Sequence, residues 1–138
     1  MAWQSHIITI KKQNNMRNRG IIVNCGHGIF SIPSEPVWMT MQEIADLFWL
    51  FGQDVRKQIH TIYKNQELYE SETHKYVRQD DGISYDVFNL QMVIALAFRI
   101  NSQECRLFRK FIMDKICRKE KQLQVFFECK NMPGNASC

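Results

Sequence analysis

The amino-acid sequence predicts an α+β fold: a winged-helix-like helix-turn-helix domain with an N-terminal β-hairpin, a second β-hairpin that forms the wing, and two C-terminal helices. Two short amphipathic helices meet at a tight corner within residues 40–59, which is the layout of a helix-turn-helix. A two-glycine turn precedes this pair and an Asp-Gly turn follows it, each between short apolar segments, as in β-hairpins. Two further helical segments complete the chain.

A chain of 138 residues is expected to form one domain that needs no disulfide or metal for stability. We expect a flexible basic arm at 1–20, a single winged-helix-like domain at 21–128 and a disordered tail at 129–138. No apolar run approaches the ~18 residues of a membrane span, and the N-terminus lacks a signal-peptide layout. The five cysteines form no C-x-x-C pair, which indicates free thiols in a reducing compartment. We therefore expect a cytoplasmic protein with no membrane partner, metal or cofactor.

The N-terminal half of the domain contains a hairpin and a strand. Ile21–Asn24 and Ile29–Ile32 flank the turn sequence Cys-Gly-His-Gly, and this pattern predicts a β-hairpin. Val37–Met39 then predicts a short strand that leads into the first helix.

The first helix of the pair has a clear start. Thr40 and Glu43 form a T-x-x-E capping box, in which each side chain bonds the other residue's backbone amide. Ile44, Leu47 and Phe48 follow at i, i+3 and i+4, and this spacing predicts one buried face.

The second helix is expected to end near Asn65. Val55, Ile59 and Ile62 (or Tyr63) predict its buried stripe. The other face is polar and basic, and Arg, Lys and Gln have donors that match guanine and adenine edges. We expect Lys64 to contact the phosphate backbone and the other four residues of this face to contact base edges or nearby phosphates. The residues of this face are Gln53, Arg56, Lys57, His60 and Lys64.

The corner between the two helices is unusually apolar. Trp49 stands where many such motifs have glycine, and Phe51 stands where a capping Ser or Thr is expected. The corner is therefore either buried or an interaction surface. Equally, the two helices can be an ordinary packed pair, with Arg56 and Lys57 as solvated surface charge.

A second hairpin is predicted from Lys75–Arg78 and Ile83–Phe88, which flank a turn containing Asp-Gly. A hairpin in this position is expected to act as a wing, with Lys75 and Arg78 contacting phosphates. The alternative is a hairpin that only completes a small sheet.

Two helices follow. Asn89 is expected to cap an apolar core helix at Leu90–Ile100, and Ser102 to cap the last helix. A long last helix that projects from a small domain is a candidate for homodimer formation, and the alternative is a solvated basic face. Its predicted buried stripe is Leu107, Phe108, Phe111, Ile112 and Ile116.

The net charge of +4 is unevenly distributed. Residues 1–34 carry +4, residues 35–98 carry −5 from five bases and ten acids, and residues 99–121 carry +5 from eight bases and three acids. Because phosphate attraction dominates DNA affinity, the central acids are expected to lie away from any DNA-contacting face. Much of the phosphate contact is then expected from the last helix or from the arm. The arm cations are Lys11, Lys12, Arg17 and Arg19.

The order of these features resembles the RhuM-type virulence-protein family of bacteria over about residues 20–115. The matching segments are VWMTMQEIADLF, YKNQEL, YDVFNLQMVIALAFRINS and LFRKF. The resemblance implies a helix-turn-helix and DNA binding, but the chain departs from the family's Gly-Val-Ser-like turn at Trp49, Phe51 and Gly52. The matching positions are Trp38, Thr40, Ala45, Leu47, Phe48, Ile62, Glu67, Leu68, Asn89, Leu90, Ile94, Arg99, Ser102, Phe108 and Arg109.

These observations predict a module that binds double-stranded DNA, with a role as a transcriptional regulator linked to virulence or mobile elements. The sequence contains no nucleophile elbow, phosphate-binding glycine loop or metal pattern, so we expect neither an enzyme nor a small-molecule substrate. The alternative is a protein-interaction or dimerisation module on the same frame, without direct DNA binding.

Overall fold

A computed structural model of the protein describes residues 19–78 and 82–131. The predicted arm cations Lys11, Lys12 and Arg17, residues 79–81 of the second turn and residues 132–138 of the predicted tail lie outside the described residues. The described part is α+β, with two small antiparallel sheets and five helices. This confirms the predicted fold class at that level.

The N-terminal hairpin is confirmed, with a later first strand than expected. Strand β1 (Val23–Gly26) pairs antiparallel with β2 (Ile29–Ser31). In the turn, His27 adopts a φ of 55° between two glycines that also have positive φ, a region that glycine enters without steric penalty. Phe30 of β2 is buried and meets Phe108 edge-on, with ring centroids 5.1 Å apart. The hairpin is thereby fixed to the last helix.

Strand β3 (Trp38–Thr40) leads directly into helix α1 (Met41–Phe48). The capping box is present: the Glu43 amide donates to Thr40 Oγ1 over 3.2 Å, and the Thr40 amide donates to Glu43 Oε1 over 2.8 Å. The predicted apolar face of α1 is buried in the core.

Helix α2 (Gly52–Lys64) begins after a three-residue corner and buries Val55, Ile59 and Ile62, as predicted. A one-turn helix that was not predicted, α3 (Glu70–Thr73), follows. Its Thr73 is fully buried and hydrogen-bonds the Tyr63 hydroxyl over 2.9 Å. The single turn of α3 thus holds the end of α2 close to the sheet.

The second hairpin is confirmed as β4 (His74–Arg78) and β5 (Ser84–Asn89). Together with β3 it forms a three-stranded antiparallel sheet in the order β3-β5-β4. The register places Phe88 opposite both Met39 and His74, so these three side chains share one face. That face is the one turned toward α2.

Helix α4 (Leu90–Arg99) is capped by Asn89, whose Oδ1 accepts from the Met92 amide over 3.2 Å. Its core-facing side is buried, but Phe98 is 51% exposed. The prediction of a core helix is therefore wrong on the side of Phe98, because none of the described elements covers it.

Helix α5 (Gln103–Asn131) starts at Ser102, whose hydroxyl accepts from the Cys105 amide over 3.2 Å. Phe108 and Ile112 are buried, but Ile116 is 55% exposed. The predicted stripe thus ends before Ile116, because no described element packs against α5 there. The helix itself continues past the expected domain boundary at residue 128.

Candidate functional site

The outer face of α2 is open to solvent. All five predicted donor residues are exposed, while the opposite side of the same helix is packed in the core. Among the described residues, none forms an ion pair with Arg56, Lys57 or Lys64. Three cations therefore project from one helix face and are accessible to an anionic partner. The exposed set is Gln53, Arg56, Lys57, His60 and Lys64.

A groove of about 710 Å³ runs between α2 and the three-stranded sheet. Arg56, His60 and Lys64 line it from the helix, and His74 and Asp86 line it from the sheet. Its floor is closed by buried apolar side chains. We use the term α2 face for the exposed side of α2 together with this groove. It comprises Gln53, Arg56, Lys57, His60 and Lys64 of α2, and Glu70, His74 and Asp86 on the opposite side of the groove.

Two carboxylates border the groove, which corrects the expectation that the acids lie on the far side. Both are turned toward His74: its Nε2 lies 2.6 Å from Asp86 Oδ1, and its Nδ1 lies 3.8 Å from Glu70 Oε1. The His74 side chain is only 9% exposed. Asp86 is within hydrogen-bonding distance of His74, whereas the Glu70 side chain is 68% exposed. Both acids therefore lie in the same groove as the cations of α2.

Arg19 does not act as an arm cation, contrary to the sequence prediction. Its Nη1 lies 2.7 Å from Glu43 Oε1 and donates to the Trp38 carbonyl oxygen over 2.8 Å. Its side chain is 8% exposed. Although burial alone raises the pKa of Glu43, the hydrogen bonds from Arg19 and Thr40 outweigh it and hold that pKa below its ordinary value. Arg19 therefore stabilises the start of α1.

The two predicted wing cations point in different directions. His74 lines the groove, and side chains alternate along a strand, so Arg78 shares its face whereas Lys75 lies on the other. Lys75 Nζ sits over the Trp38 ring, 4.2 Å from its centroid. The structure therefore brings Arg78, but not Lys75, to the side of the sheet that adjoins α2.

An ion pair that the sequence does not predict links α4 to the middle of α2 and to the loop after α2. Arg99 Nη1 donates to both carboxylate oxygens of Glu67, over 2.6 and 2.8 Å, and Arg99 Nε donates to Gln58 Oε1 over 3.1 Å. This contact joins the last turn of α4 to α2 and to the loop that follows it. The available signal was the basic residue at the end of a helix, which gives no indication of a partner 32 positions away.

The corner before α2 is exposed at Trp49 and Phe51, so the alternative in which these side chains are buried is wrong. Trp49 is 70% exposed and has φ 54° and ψ 46°, the left-handed helical region. Phe51, at the N-cap of α2, is 81% exposed and makes no side-chain capping bond. Two large aromatic side chains therefore stand in solvent beside the α2 face.

No protein-family model, curated protein or solved structure matches the chain. The RhuM-type resemblance therefore stays a prediction. Among the described residues, no cluster of His, Cys, Asp and Glu is arranged to hold a metal ion, and no helix is both long and apolar enough to cross a bilayer. Cys25, Cys105 and Cys117 are free thiols.

Proposed function

We propose that this protein is a DNA-binding module that docks the α2 face into the major groove of double-stranded DNA. The observation that carries the proposal is the exposure of Gln53, Arg56, Lys57, His60 and Lys64 on one side of a helix whose other side is buried. An α-helix fits the major groove, and Arg, Lys and Gln are the residues that most often bond purine edges there.

The strand order supports the interpretation of the domain as a winged helix. A strand precedes the helix pair, a hairpin follows it, and the three strands form one sheet in the order β3-β5-β4. In this reading α1 and α2 form a helix-turn-helix and the β4–β5 hairpin is the wing. Arg78 ends β4 next to the turn, where a wing can meet the phosphate backbone beside the groove.

The biological role follows from the resemblance rather than from the site. A RhuM-type module of bacteria would act on DNA in the cytoplasm, as a regulator linked to virulence or mobile elements. DNA binding can be tested without that assumption, because the cations involved are known residues.

The test is a salt titration against a labelled random-sequence duplex, comparing the native protein with single alanine variants of Lys57 and Lys64. Each phosphate contact that is lost should reduce the slope of log K against log salt by about 0.9. Lys75→Ala is the matched control, because Lys75 is an exposed cation on the sheet face away from α2, with its Nζ 4.2 Å from the centroid of the Trp38 ring. Equal slopes for all three variants, or no duplex binding at low salt, would reject the proposal.

A second function, protein interaction, is favoured by the exposed aromatics at the corner. Trp49 and Phe51 are more than two-thirds exposed, and contiguous exposed apolar surface commonly marks a binding site. Self-association that falls in Trp49→Ala, measured by sedimentation, together with no affinity for duplex DNA, would favour this alternative.

A further inference from the structure

The aromatic corner before α2 breaks two local rules of stability. A β-region N-cap is best filled by Ser, Thr, Asp or Asn, but Phe51 occupies it with no side-chain capping bond. A left-handed residue is best a glycine, but Trp49 occupies it with φ 54°. Burial does not offset the cost of either position, since both side chains are mostly exposed to solvent. Local rules broken without a structural gain are expected at functional positions.

The backbone holds Phe51 in place although its ring is free. Its carbonyl oxygen accepts from the Asp54 amide over 3.0 Å and from the Val55 amide over 3.3 Å. The exposed ring therefore stands at the N-terminal end of α2, two positions before Gln53 and five before Arg56 in the chain. In a helix-turn-helix, the N-terminal residues of the second helix are those that reach base edges.

We propose that Phe51 reads thymine, by packing its ring against the C5-methyl group in the major groove. This inference rests on the proposed DNA-binding function and assigns part of its specificity. The thymine methyl is the apolar group that the major groove presents, and Phe is one of the side chains that contact it. The cations of the α2 face attract the duplex, and the aromatic N-cap then favours a thymine beside the base pairs that Gln53 and Arg56 bond.

The experiment begins with selection of a preferred site from a random duplex library by the full chain. Each thymine in that site is then replaced by deoxyuridine, which removes only the methyl group. At one position the native protein should lose affinity about fourfold, the value for one buried methyl-sized group of about 0.8 kcal/mol. Phe51→Ala should bind the thymine and deoxyuridine duplexes equally, whereas Arg56→Ala should still distinguish them.

Phe51→Ser protects the test against misfolding, because serine supplies the missing N-cap. It should also lose the discrimination, with no loss of thermal stability. Absence of any thymine-sensitive position, or sensitivity that persists in both Phe51 variants, would overturn the inference and leave DNA binding intact. Duplex binding without an enriched site would do the same. No duplex binding at all would overturn the proposed function and this inference with it.

Discussion

Replacing Arg19 with alanine should lower the free energy of unfolding by about 2–4 kcal/mol. The guanidinium donates to the Glu43 carboxylate and to the Trp38 carbonyl oxygen, and hydrogen bonds to charged groups contribute about 1.5–3 kcal/mol each. The total should fall below the simple sum, because Glu43 is 26% exposed and water can replace part of what is lost.

Urea unfolding followed by far-ultraviolet circular dichroism measures this effect. Arg106→Ala is the matched control, since Arg106 is exposed on α5 and such surface changes usually stay within about 0.5 kcal/mol. A double-mutant cycle of Arg19→Ala with Glu43→Gln isolates the pair itself, and the two losses should not add.

A structural role for Arg19 is excluded if Arg19→Ala is as stable as Arg106→Ala and binds duplex DNA more weakly than the native protein. That combination would return Arg19 to the arm cations that the sequence predicted. A large loss of stability with unchanged DNA affinity of the folded protein supports its assignment to the start of α1.

Three further predictions concern single groups. The pKa of Glu43 is lower in the folded protein than its ordinary value of 4.5. The ionised carboxylate therefore stabilises the fold above the unfolded pKa, and this contribution is lost as pH falls through the folded pKa. Glu43→Gln should remove this part of the pH dependence of urea unfolding. Asn89→Ala should cost about 1 kcal/mol in thermal unfolding through loss of the α4 cap, and Asn89→Ser should keep most of it. Burial raises the pKa of the Cys105 thiol and shields it from reagents. Iodoacetamide should therefore modify the exposed Cys25 and Cys117 in the native state and Cys105 only after unfolding, as measured by mass spectrometry. Labelling of Cys105 as fast as Cys25 would contradict its burial.

Features set by neighbours three or four positions apart were predictable from the sequence. The Thr40 capping box and the Asn89 and Ser102 caps each join a side chain to an amide three residues on. The apolar face of α2 likewise follows from helical spacing. Such signals fix where helices start and which side they bury, because the physics involved is contained within one turn.

Contacts between distant residues were not predictable in this way. Arg19 meets Glu43 across 24 positions, and Asn24 meets the buried Glu104 across 80. Nothing in the local pattern distinguishes such a charge from a solvated one, so the sequence predicts Arg19 on the DNA-binding surface. Only the packing of the chain shows that it is largely buried.

The sequence alone implies that the two wing cations lie on opposite faces of the sheet. Lys75 and Arg78 are an odd number of positions apart on one strand, and side chains on a strand alternate between faces. The sequence prediction assigned both to phosphate contacts, whereas alternation alone implies that at most one faces α2. Which face is turned toward α2 depends on the sheet register, which the structure provides.

The most direct test of the central claim is amide chemical-shift mapping of isotopically labelled protein titrated with duplex DNA. We expect the largest shifts on the amides of α2 around Gln53, Arg56 and His60, with smaller shifts near Arg78. Shifts that cluster on α5 around Lys110, or no shifts at low salt, would contradict it.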